Sequence, residues 1–270
     1  MVSAVLSLGG IGLVAAVALG VAAKRFAVEV DPRELALLEL LPGVNCGACG
    51  FPGCAGYAKA LAKGEVTPEL CPPGGAEVTA RLAALLGVEV TAGEPQVAVV
   101  LCQGDNRTAA SKYRYLGLAD CTAAQRLADG PKRCPGGCLG LGSCERACPF
   151  GAIEMTAEGL AVISRERCTG CRKCVAACPR QVICMTPRRA TVHVLCNSHD
   201  AGALVRKYCT VGCIACQLCV KAAPAAYRVE ERLATVVYDQ DAEAAAAIAR
   251  CPTQCIRDFA AGYPEGSTWR

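Results

Sequence analysis

Residues 168–179 read C-T-G-C-R-K-C-V-A-A-C-P, a C-x2-C-x2-C-x3-C-P run of cysteines. This spacing is typical of chains that hold [4Fe–4S] clusters: three thiolates wrap one cubane, and the fourth, ahead of the proline, ligates another. Structural zinc sites usually use paired C-x2-C knuckles, so zinc is the minor alternative. The run therefore predicts two clusters, with Cys168, Cys171 and Cys174 on one and Cys178 on the other.

The composition is rich in cysteine and poor in aromatic residues. The chain has 270 residues, with 22 Cys, four Phe and one Trp. That length allows two or three small domains, and so few aromatic residues leave little conventional core. Cysteine at this density would indicate a disulfide scaffold in a short secreted chain, but this chain is neither short nor evidently secreted. We expect inorganic clusters to replace part of the core.

The N-terminal segment from Val2 to Ala23 is uncharged and rich in Ala, Val, Leu and Gly. At about 1.5 Å per residue, a helix of this length matches a hydrocarbon core of roughly 30 Å, which predicts a single transmembrane span. Lys24 and Arg25 follow directly. By the positive-inside rule, the later domains then lie on the cytoplasmic side of the cell inner membrane. A cleaved signal peptide, disfavoured by the missing basic n-region, and a buried soluble helix are the alternatives.

A four-cysteine motif follows a helix start at Asp31-Pro32, where Asp is the N-cap and Pro the first helical residue. Glycines between its cysteines let the backbone approach a large ligand. Apolar residues at helical spacing in 53–62 and 76–86 place the motif in a small helical domain, and residues 91–95 have linker composition. The predicted cluster ligands of this domain are Cys46, Cys49, Cys54 and Cys71.

After this linker the chain repeats itself. V-A-V-V-L-C at 97–102 returns as V-H-V-L-C at 192–196, and a C-x3-C pair beginning at Cys134 returns at Cys209. Each copy continues into a stretch that alternates around a turn, which is typical of a β-hairpin. Each copy is therefore predicted to be one ferredoxin-like unit of the bacterial two-cluster type.

The second copy keeps the ligands of only one of its two cluster sites. Crossed ligation combines three cysteines of one run with the distal Cys-Pro of the other. The positions of one complete site have lost their cysteines: Ala223, Asp241, Ala244 and Ala247. The other complete site is retained: Cys213, Cys216, Cys219 and Cys251. We expect one cluster here, with the Ala-rich stretch forming a helix that fills the vacated space.

The first copy is predicted to hold two clusters. The ligands of one are Cys148, Cys168, Cys171 and Cys174. Three ligands of the other are Cys138, Cys144 and Cys178. Leu141 stands where a fourth cysteine would be, and we assign Cys134 because it lies one short turn away. Cys121, Cys102 or a three-iron cluster are the alternatives. In total we expect four [4Fe–4S] clusters.

Six cysteines remain outside these sets: Cys102, Cys121, Cys184, Cys196, Cys209 and Cys255. Buried cysteine behaves as a small hydrophobe, so packing near the cluster sites is the first interpretation. A redox pair or an extra metal site is the functional alternative.

The sequence indicates no side-chain catalytic site. It has two histidines and no histidine beside a lone cysteine in a catalytic motif. Without a G-x-G-x-x-G after a strand or a P-loop, no directly bound nucleotide is expected. Residues 165–207 contain nine Lys or Arg against two acidic residues. This basic stretch either steers an acidic protein or is a solvated face, and because interleaved aromatics are missing we expect no nucleic acid partner.

The order of an apolar helix, a four-cysteine domain and ferredoxin repeats resembles the iron–sulfur, B-type subunit of the Rnf/Rsx ion-translocating electron transport complexes. The most specific pieces are C-G-A-C-G-F-P-G-C-A-G-Y-A at 46–58, G-C-L-G-L-G-S-C-E-R-A-C-P-F at 137–150 and V-G-C-I-A-C-Q-L-C at 211–219. The resemblance implies a membrane-anchored translocase subunit that accepts electrons from soluble ferredoxin in a ferredoxin:NAD oxidoreductase. Its partners would be the other membrane and soluble subunits of an Rnf-type complex.

Two other functions remain open: a polyferredoxin subunit of another membrane redox enzyme, such as a hydrogenase or a corrinoid system, and a cluster-based sensor. The predicted fold class is α+β. Four parts are expected: a membrane anchor at 1–25, a four-cysteine domain at 26–92, a two-cluster ferredoxin-like domain at 93–190, and a degenerate ferredoxin-like domain with one cluster at 191–270.

Overall fold

The computed structural model describes residues 2–26, 31–90 and 93–260, without the side chains of residues 2–8, 241 and 242. Parts of the predicted linker and of the last predicted domain therefore lie outside the described residues. The helices within these ranges are α1 (Val2–Arg25), α2 (Pro32–Leu40), α3 (Cys54–Ala62), α4 (Gly75–Leu86), α5 (Cys121–Arg126), α6 (Ser143–Arg146), α7 (Lys173–Ala177), α8 (Gly202–Tyr208) and α9 (Leu218–Ala222). The strands are β1 (Gln96–Val100), β2 (Ile153–Met155), β3 (Ala161–Ile163), β4 (Ile183–Pro187), β5 (Val192–Val194), β6 (Tyr227–Glu230), β7 (Leu233–Val236) and β8 (Ile256–Asp258).

Helix α1 has 24 residues, and its last turn carries Lys24 and Arg25. Its large apolar side chains from Ile11 to Val21 are more than half exposed. Over the residues whose side chains are described, no helix is long and apolar enough to cross a membrane. The transmembrane span stays a prediction.

Helices α2, α3 and α4 pack together around the four-cysteine motif. Asp31 caps α2, since its carboxylate accepts a 2.8 Å hydrogen bond from the Arg33 backbone N–H. The largest fully buried side chains of this unit are Leu37, Tyr57, Leu61 and Leu82. Together they form a small apolar core beneath the cysteine loops.

The Tyr57 side chain ties the cysteine loops to that core. Its hydroxyl donates to the Thr67 carbonyl at 2.8 Å and accepts from the Leu70 backbone N–H at 3.3 Å. Burial raises the pKa of Tyr57 to about 12, so the hydroxyl stays a donor. The residue after Leu70 is Cys71, and its backbone is therefore held in place from inside the unit.

The two ferredoxin-like copies have the same strand pairing. In the first copy β1 pairs antiparallel with β4, and β2 forms a hairpin with β3. In the second copy β5 pairs with β8, and β6 forms a hairpin with β7. The internal repeat seen in the sequence is thus a structural duplication.

The copies touch through backbone and side chains. The Ala110 N–H donates to the Tyr208 carbonyl at 2.7 Å, and the Thr210 N–H donates to the Thr108 carbonyl at 3.0 Å. Val99, Leu195 and Phe259 form a shared apolar cluster. The first copy's 104–111 segment therefore lies beside the second copy's cysteines.

The positions at which the second copy lacks the predicted cysteines are packed with apolar side chains. Ala223, Ala244 and Ala247 are all completely buried in one apolar cluster with Tyr227. The Ala-rich stretch is a 3-10 helix, Tyr238–Ala247, with a non-helical residue at Gln240 (φ −131°). The predicted helix is thus present in a tighter form. Tyr227 opens β6 where Ile153 opens β2, so a larger side chain contributes to this packing.

Candidate iron–sulfur sites

All 22 cysteines are free thiols within the described residues. Across the same residues, no group of three or more His, Cys, Asp or Glu is placed to hold a single metal ion. A zinc ion would require sulfur atoms about 2.3 Å from a common centre. The cysteines are instead grouped around larger spaces, which fits a polynuclear ligand better than a single ion.

The structure brings together the four cysteines of the helical unit. Burial raises the pKa of the Cys71 thiol, and the neighbouring thiols of Cys46, Cys54 and Cys49 raise it further. Their loop turns through Gly47 and Gly50, whose φ values are +74° and +86°. Only glycine adopts such angles without strain, so these turns fold the loop around one space.

The Cys54 end of that loop is fixed by Asn45. The Asn45 side-chain oxygen accepts a 2.8 Å hydrogen bond from the Cys54 N–H. A Cβ at Gly53 would lie 2.9 Å from the same oxygen, which explains the glycine there. The first turn of α3 and the preceding loop therefore hold Cys54 against the other three cysteines.

The first ferredoxin-like copy brings together Cys148, Cys168, Cys171 and Cys174, as crossed ligation predicts. The pKa of Cys174 is raised to about 12 by burial and then by the Cys168, Cys171 and Cys148 thiols. Backbone N–H groups of Ala98 and Ala152 donate to the sulfur atoms of Cys168 and Cys148, each at 3.4 Å. Such donors stabilise a negatively charged sulfur.

The next site in this copy is a cavity with about 390 Å³ of empty space, part of it open to solvent. Its cysteines are Cys121, Cys138, Cys144 and Cys178. Burial raises the pKa of Cys144 to about 12, as do Cys138, Cys121 and Cys178. The sequence-based assignment puts Cys134 here, but the structure places Cys134 in a different cavity and brings Cys121 to this one.

Helix α5 explains why Cys121 reaches this cavity. Asp120 caps the helix by accepting from the Ala123 N–H at 2.8 Å. The Ser143 hydroxyl donates to the Asp120 carboxylate and accepts from the Cys121 N–H, both at 2.8 Å. Since Ser143 precedes Cys144, this network fixes the two cysteines relative to each other. The fourth thiol thus comes from a distant loop and replaces the one missing at Leu141.

The second copy has a matching cavity with about 320 Å³ of empty space. Its cysteines are the four predicted ones, Cys213, Cys216, Cys219 and Cys251, together with Cys255. A hydrogen bond from the Cys255 thiol lowers the pKa of Cys251 to about 5, which makes Cys251 the thiolate of the pair. Cys255 therefore accompanies the four-thiol set as a donor.

One more cavity lies between the two copies, with about 400 Å³ of empty space. Its lining includes Cys102, Cys134, Cys196 and Cys209, together with the buried Lys132. Three of these cysteines, Cys102, Cys196 and Cys209, lie outside the four ligand sets that the sequence predicts. The fourth, Cys134, is the one that the sequence-based interpretation assigns to the Cys138 site.

The groups of cysteines are neighbours in a consistent order. The Cys46 thiol of the helical unit raises the pKa of Cys171, and the Cys174 thiol raises that of Cys144. The Cys138 N–H donates to the Cys102 sulfur at 3.4 Å. On the other side, the Cys213 N–H donates to Cys196. The sites thus form one line from the helical unit to the second copy.

Family models match three parts of the chain. Residues 41–73 match a putative Fe-S cluster domain, residues 133–183 a 4Fe-4S dicluster domain, and residues 210–258 the 4Fe-4S single cluster domain of ferredoxin I. The three matches correspond to the helical unit and the two ferredoxin-like copies, and the descriptions of the latter two name [4Fe–4S] clusters.

Relatives extend this likeness over nearly the whole chain. The B-type subunit of the ion-translocating oxidoreductase complex of Methanosarcina acetivorans is 42% identical over 257 residues, which cover 95% of this chain and 97% of the relative. The chain belongs to the family of B-type subunits of ion-translocating oxidoreductase complexes. The corresponding subunit of the Na(+)-translocating ferredoxin:NAD(+) oxidoreductase complex of Acetobacterium woodii is 40% identical, covering 92% of this chain and 75% of the relative. The proton-translocating counterpart of Clostridium ljungdahlii is 44% identical, covering 93% and 90%.

Two groupings of cysteines in the structure differ from those that the sequence predicts. Local spacing groups cysteines that are close in the chain, whereas Cys121 joins its partners through a loop of its own. For the cavity between the copies a signal did exist. Cys102 and Cys134 each recur in the second copy, as Cys196 and Cys209, and a cysteine retained in both copies of a duplication points to a shared task.

Proposed function

We propose that this chain is the membrane-anchored electron relay of an Rnf-type ferredoxin:NAD oxidoreductase complex. The single observation that carries the proposal is the unbroken line of neighbouring cysteine groups. A [4Fe–4S] cluster, when bound, takes up and releases one electron. The protein's part is to hold the clusters close together and to tune them through burial and hydrogen bonds to sulfur.

Four ligand sets support this relay, each drawn from thiols that lie close together. They are Cys46, Cys49, Cys54 and Cys71; Cys148, Cys168, Cys171 and Cys174; Cys121, Cys138, Cys144 and Cys178; and Cys213, Cys216, Cys219 and Cys251. The donor chemistry fits, because each set offers four thiols around one space. The backbone N–H groups already directed at sulfur would stabilise the negative charge of a bound cluster.

We place the docking site for soluble ferredoxin at the Cys216 end of the line. Of the 22 cysteines, all within the described residues, Cys216 alone is exposed. Next to it, Leu218 at the start of α9 is 39% exposed. An exposed apolar side chain beside the cluster ligand nearest the surface suits a partner that must bring its own cluster close.

The basic stretch between residues 165 and 207 is a weaker docking candidate than its charge suggests. Arg165 donates to the backbone carbonyls of Ala190 and Arg188. Arg188 in turn donates to the Arg165 and Cys168 carbonyls, both at 2.6 Å. Arg180 is buried. Three of its nine basic side chains therefore bond to backbone carbonyls or are buried. The stretch does not form one continuous basic face.

The proposed membrane anchor is α1. Its support is the uncharged sequence from Val2 to Ala23 followed by Lys24 and Arg25, which would keep the cluster domains on the cytoplasmic side. Every proposed ligand lies beyond this segment. Deleting residues 1–25 should therefore leave cluster content unchanged and move the protein from the membrane fraction to the supernatant.

The test of the relay uses the intact complex, purified without oxygen and mixed with reduced ferredoxin. NAD reduction should depend on this subunit, and Leu218→Glu should slow electron uptake about tenfold. Leu85→Glu, the same change at an exposed leucine of α4, is the matched control and should leave the rate unchanged. Equal rates in both variants would move the docking site away from Cys216. A complex that reduces NAD from ferredoxin without this subunit would contradict the proposed function.

A further inference from the structure

The cavity between the two ferredoxin-like copies is built from equivalent residues of the two copies. Cys102 follows β1 in the same way as Cys196 follows β5, and Cys134 precedes Cys138 by the spacing with which Cys209 precedes Cys213. The cavity therefore has two thiols from each copy, related by the duplication. This symmetry is a property of the assembled pair.

The backbone around these thiols is duplicated as well. The Gly104 N–H donates to the Cys102 sulfur at 3.3 Å, and the Cys138 N–H donates to it at 3.4 Å. In the second copy Ser198 and Cys213 supply the equivalent N–H donors to Cys196. Chance burial of a small hydrophobe would not direct the same two donors at the same sulfur in both copies. The arrangement matches that of the sulfur atoms in the neighbouring cluster sites.

Glycine backbone lies close beside the other two thiols. A Cβ at Gly137 would lie 3.4 Å from the Cys134 sulfur, and one at Gly212 would lie 3.5 Å from the Cys209 sulfur. A Cβ at Gly104 would lie 3.6 Å from both the Cys102 and the Cys209 sulfur atoms. The Cys102 and Cys209 sulfur atoms, one from each copy, are therefore separated by no more than twice that distance. The empty space of about 400 Å³ is as large as that of the Cys138 site, about 390 Å³.

One buried cation, Lys132, lines the cavity, and a second, Arg180, lines the neighbouring Cys138 cavity and bonds to the 134–137 loop between them. Lys132 is 3% exposed and Arg180 is 7% exposed. Lys132 donates to the Asp105 carbonyl at 2.8 Å, and Arg180 donates to the carbonyls of Cys134, Gly137 and Asp129. Among the described residues, no carboxylate lies within ion-pair distance of either one. Buried cations need negative charge nearby, and a thiolate-bound cluster would supply it.

We propose that Cys102, Cys134, Cys196 and Cys209 bind a fifth [4Fe–4S] cluster, which joins the two ferredoxin-like copies into one electron path. The inference deepens the proposed relay, because this cavity is the step between the Cys138 site and the Cys213 site. A cluster there would divide the electron-transfer step between the two copies into two shorter steps.

Anaerobic iron and sulfide analysis of the full chain tests the proposal. The full chain should contain about twenty irons, from five clusters. Single changes Cys102→Ala, Cys134→Ala, Cys196→Ala and Cys209→Ala should each remove about four irons. The double variant C102A/C196A should also remove only about four, because both residues serve one cluster. Cys184→Ala is the matched control, since Cys184 lies on β4, and it should remove none.

Two results would overturn the proposal. One is an iron content near sixteen in the full chain that stays unchanged in the four single variants. The other is one zinc per chain that the four variants lose. Neither readout depends on ferredoxin or NAD, so the fifth site can fail while the relay stands, or the reverse.

A second variant keeps the test informative if the cysteine changes disturb folding. Lys132→Met removes the buried positive charge and leaves all thiols in place. It should keep the full iron content and lower the midpoint potential of one cluster, because the charge favours the more negative reduced state. A redox titration followed by electron paramagnetic resonance measures this. Unchanged potentials of every cluster would contradict a cluster beside Lys132.

Discussion

The sulfur atoms of Cys251 and Cys255 lie 3.5 Å apart at the edge of the second copy's cavity. Cys251 precedes Pro252, as the distal ligand of a ferredoxin run does, whereas Cys255 precedes β8. Two sulfur atoms this close cannot each bind a different iron of one [4Fe–4S] cluster. We assign Cys251 as the ligand and Cys255 as an S–H donor to its sulfur.

Replacing Cys255 by Ala should therefore keep the iron content and lower the midpoint potential of the terminal cluster. Hydrogen bonds to ligand sulfur stabilise the reduced state, and this change removes one. A redox titration of the anaerobic protein measures the shift. Cys251→Ala is the contrasting variant and should remove about four irons. Loss of iron in Cys255→Ala would instead make Cys255 a ligand.

Cys121→Ala and Cys134→Ala should remove different clusters. Cys121 shares a cavity with Cys144, whereas Cys134 lies in the cavity between the copies. The double variant C121A/C144A should therefore lose about four irons, and C134A/C144A about eight. Iron analysis with paramagnetic resonance spectra decides this. Equal losses in the two double variants would return Cys134 to the Cys144 site.

Tyr227→Phe should destabilise the second copy by about 1–3 kcal/mol. The Tyr227 hydroxyl donates to the Ala244 carbonyl at 2.7 Å in the buried interior of the second copy, so the change removes a buried hydrogen bond. Anaerobic denaturation followed by circular dichroism measures the change. Tyr113→Phe is the control, because that hydroxyl donates to the Leu127 carbonyl at an exposed position and should cost less. If Tyr227→Phe leaves the free energy of unfolding unchanged, the buried region around Tyr227 is loosely packed.

The protein should lose stability as the pH falls from about 6.5 towards 4 because His193 is buried as a neutral side chain. Burial, followed by the positive charge of Arg165, lowers the pKa of His193 to about 4, while Asp258 acts weakly in the other direction. Its ring also contacts the Tyr238 hydroxyl at 3.0 Å. The unfolded chain binds a proton below about 6.5 and the folded chain does not, so acid favours unfolding by about 2 kcal/mol at pH 5.

The variant His193→Gln isolates this effect from the acid lability of the clusters. Wild type and variant contain the same clusters, so the difference between their stability curves reports the histidine. Between pH 7 and 5 the wild type should lose about 2 kcal/mol more than the variant. Parallel curves would show that His193 does not carry the pH dependence.

Short-range spacing in the sequence is enough to predict much of the fold and three of the cysteine groups. The run at 168–174 and the set around Cys46 come together because neighbouring thiols on tight turns have few other arrangements. The hairpins follow from alternation around a turn. Such reasoning leaves Cys121 only as an alternative to Cys134, since its position depends on the contact between α5 and the Ser143 hydroxyl. That contact exists only in the folded chain.

The cavity between the copies could not be predicted from the sequence for a different reason. Its thiols are far apart in the sequence, and no run of cysteines marks them. Cys102 and Cys196 each close a strand, so each copy alone offers half of a site. The missing information is how the two copies face each other, which no local pattern contains. The recurrence of Cys102 as Cys196 indicates a shared role, but not that the two meet.

The apolar packing around Tyr227 gives the proposed relay a polarity. If both ferredoxin-like copies kept two cluster sites, the same order of sites would run outward from the boundary between the copies in both directions. The two ends would then be equivalent. The alanines at 223, 244 and 247 remove the outermost site on one side only. The Cys213 site with exposed Cys216 becomes a terminus, while the other side continues into the helical unit and α1. The four positions without cysteine, Ala223, Asp241, Ala244 and Ala247, would thereby give the proposed relay two distinct ends.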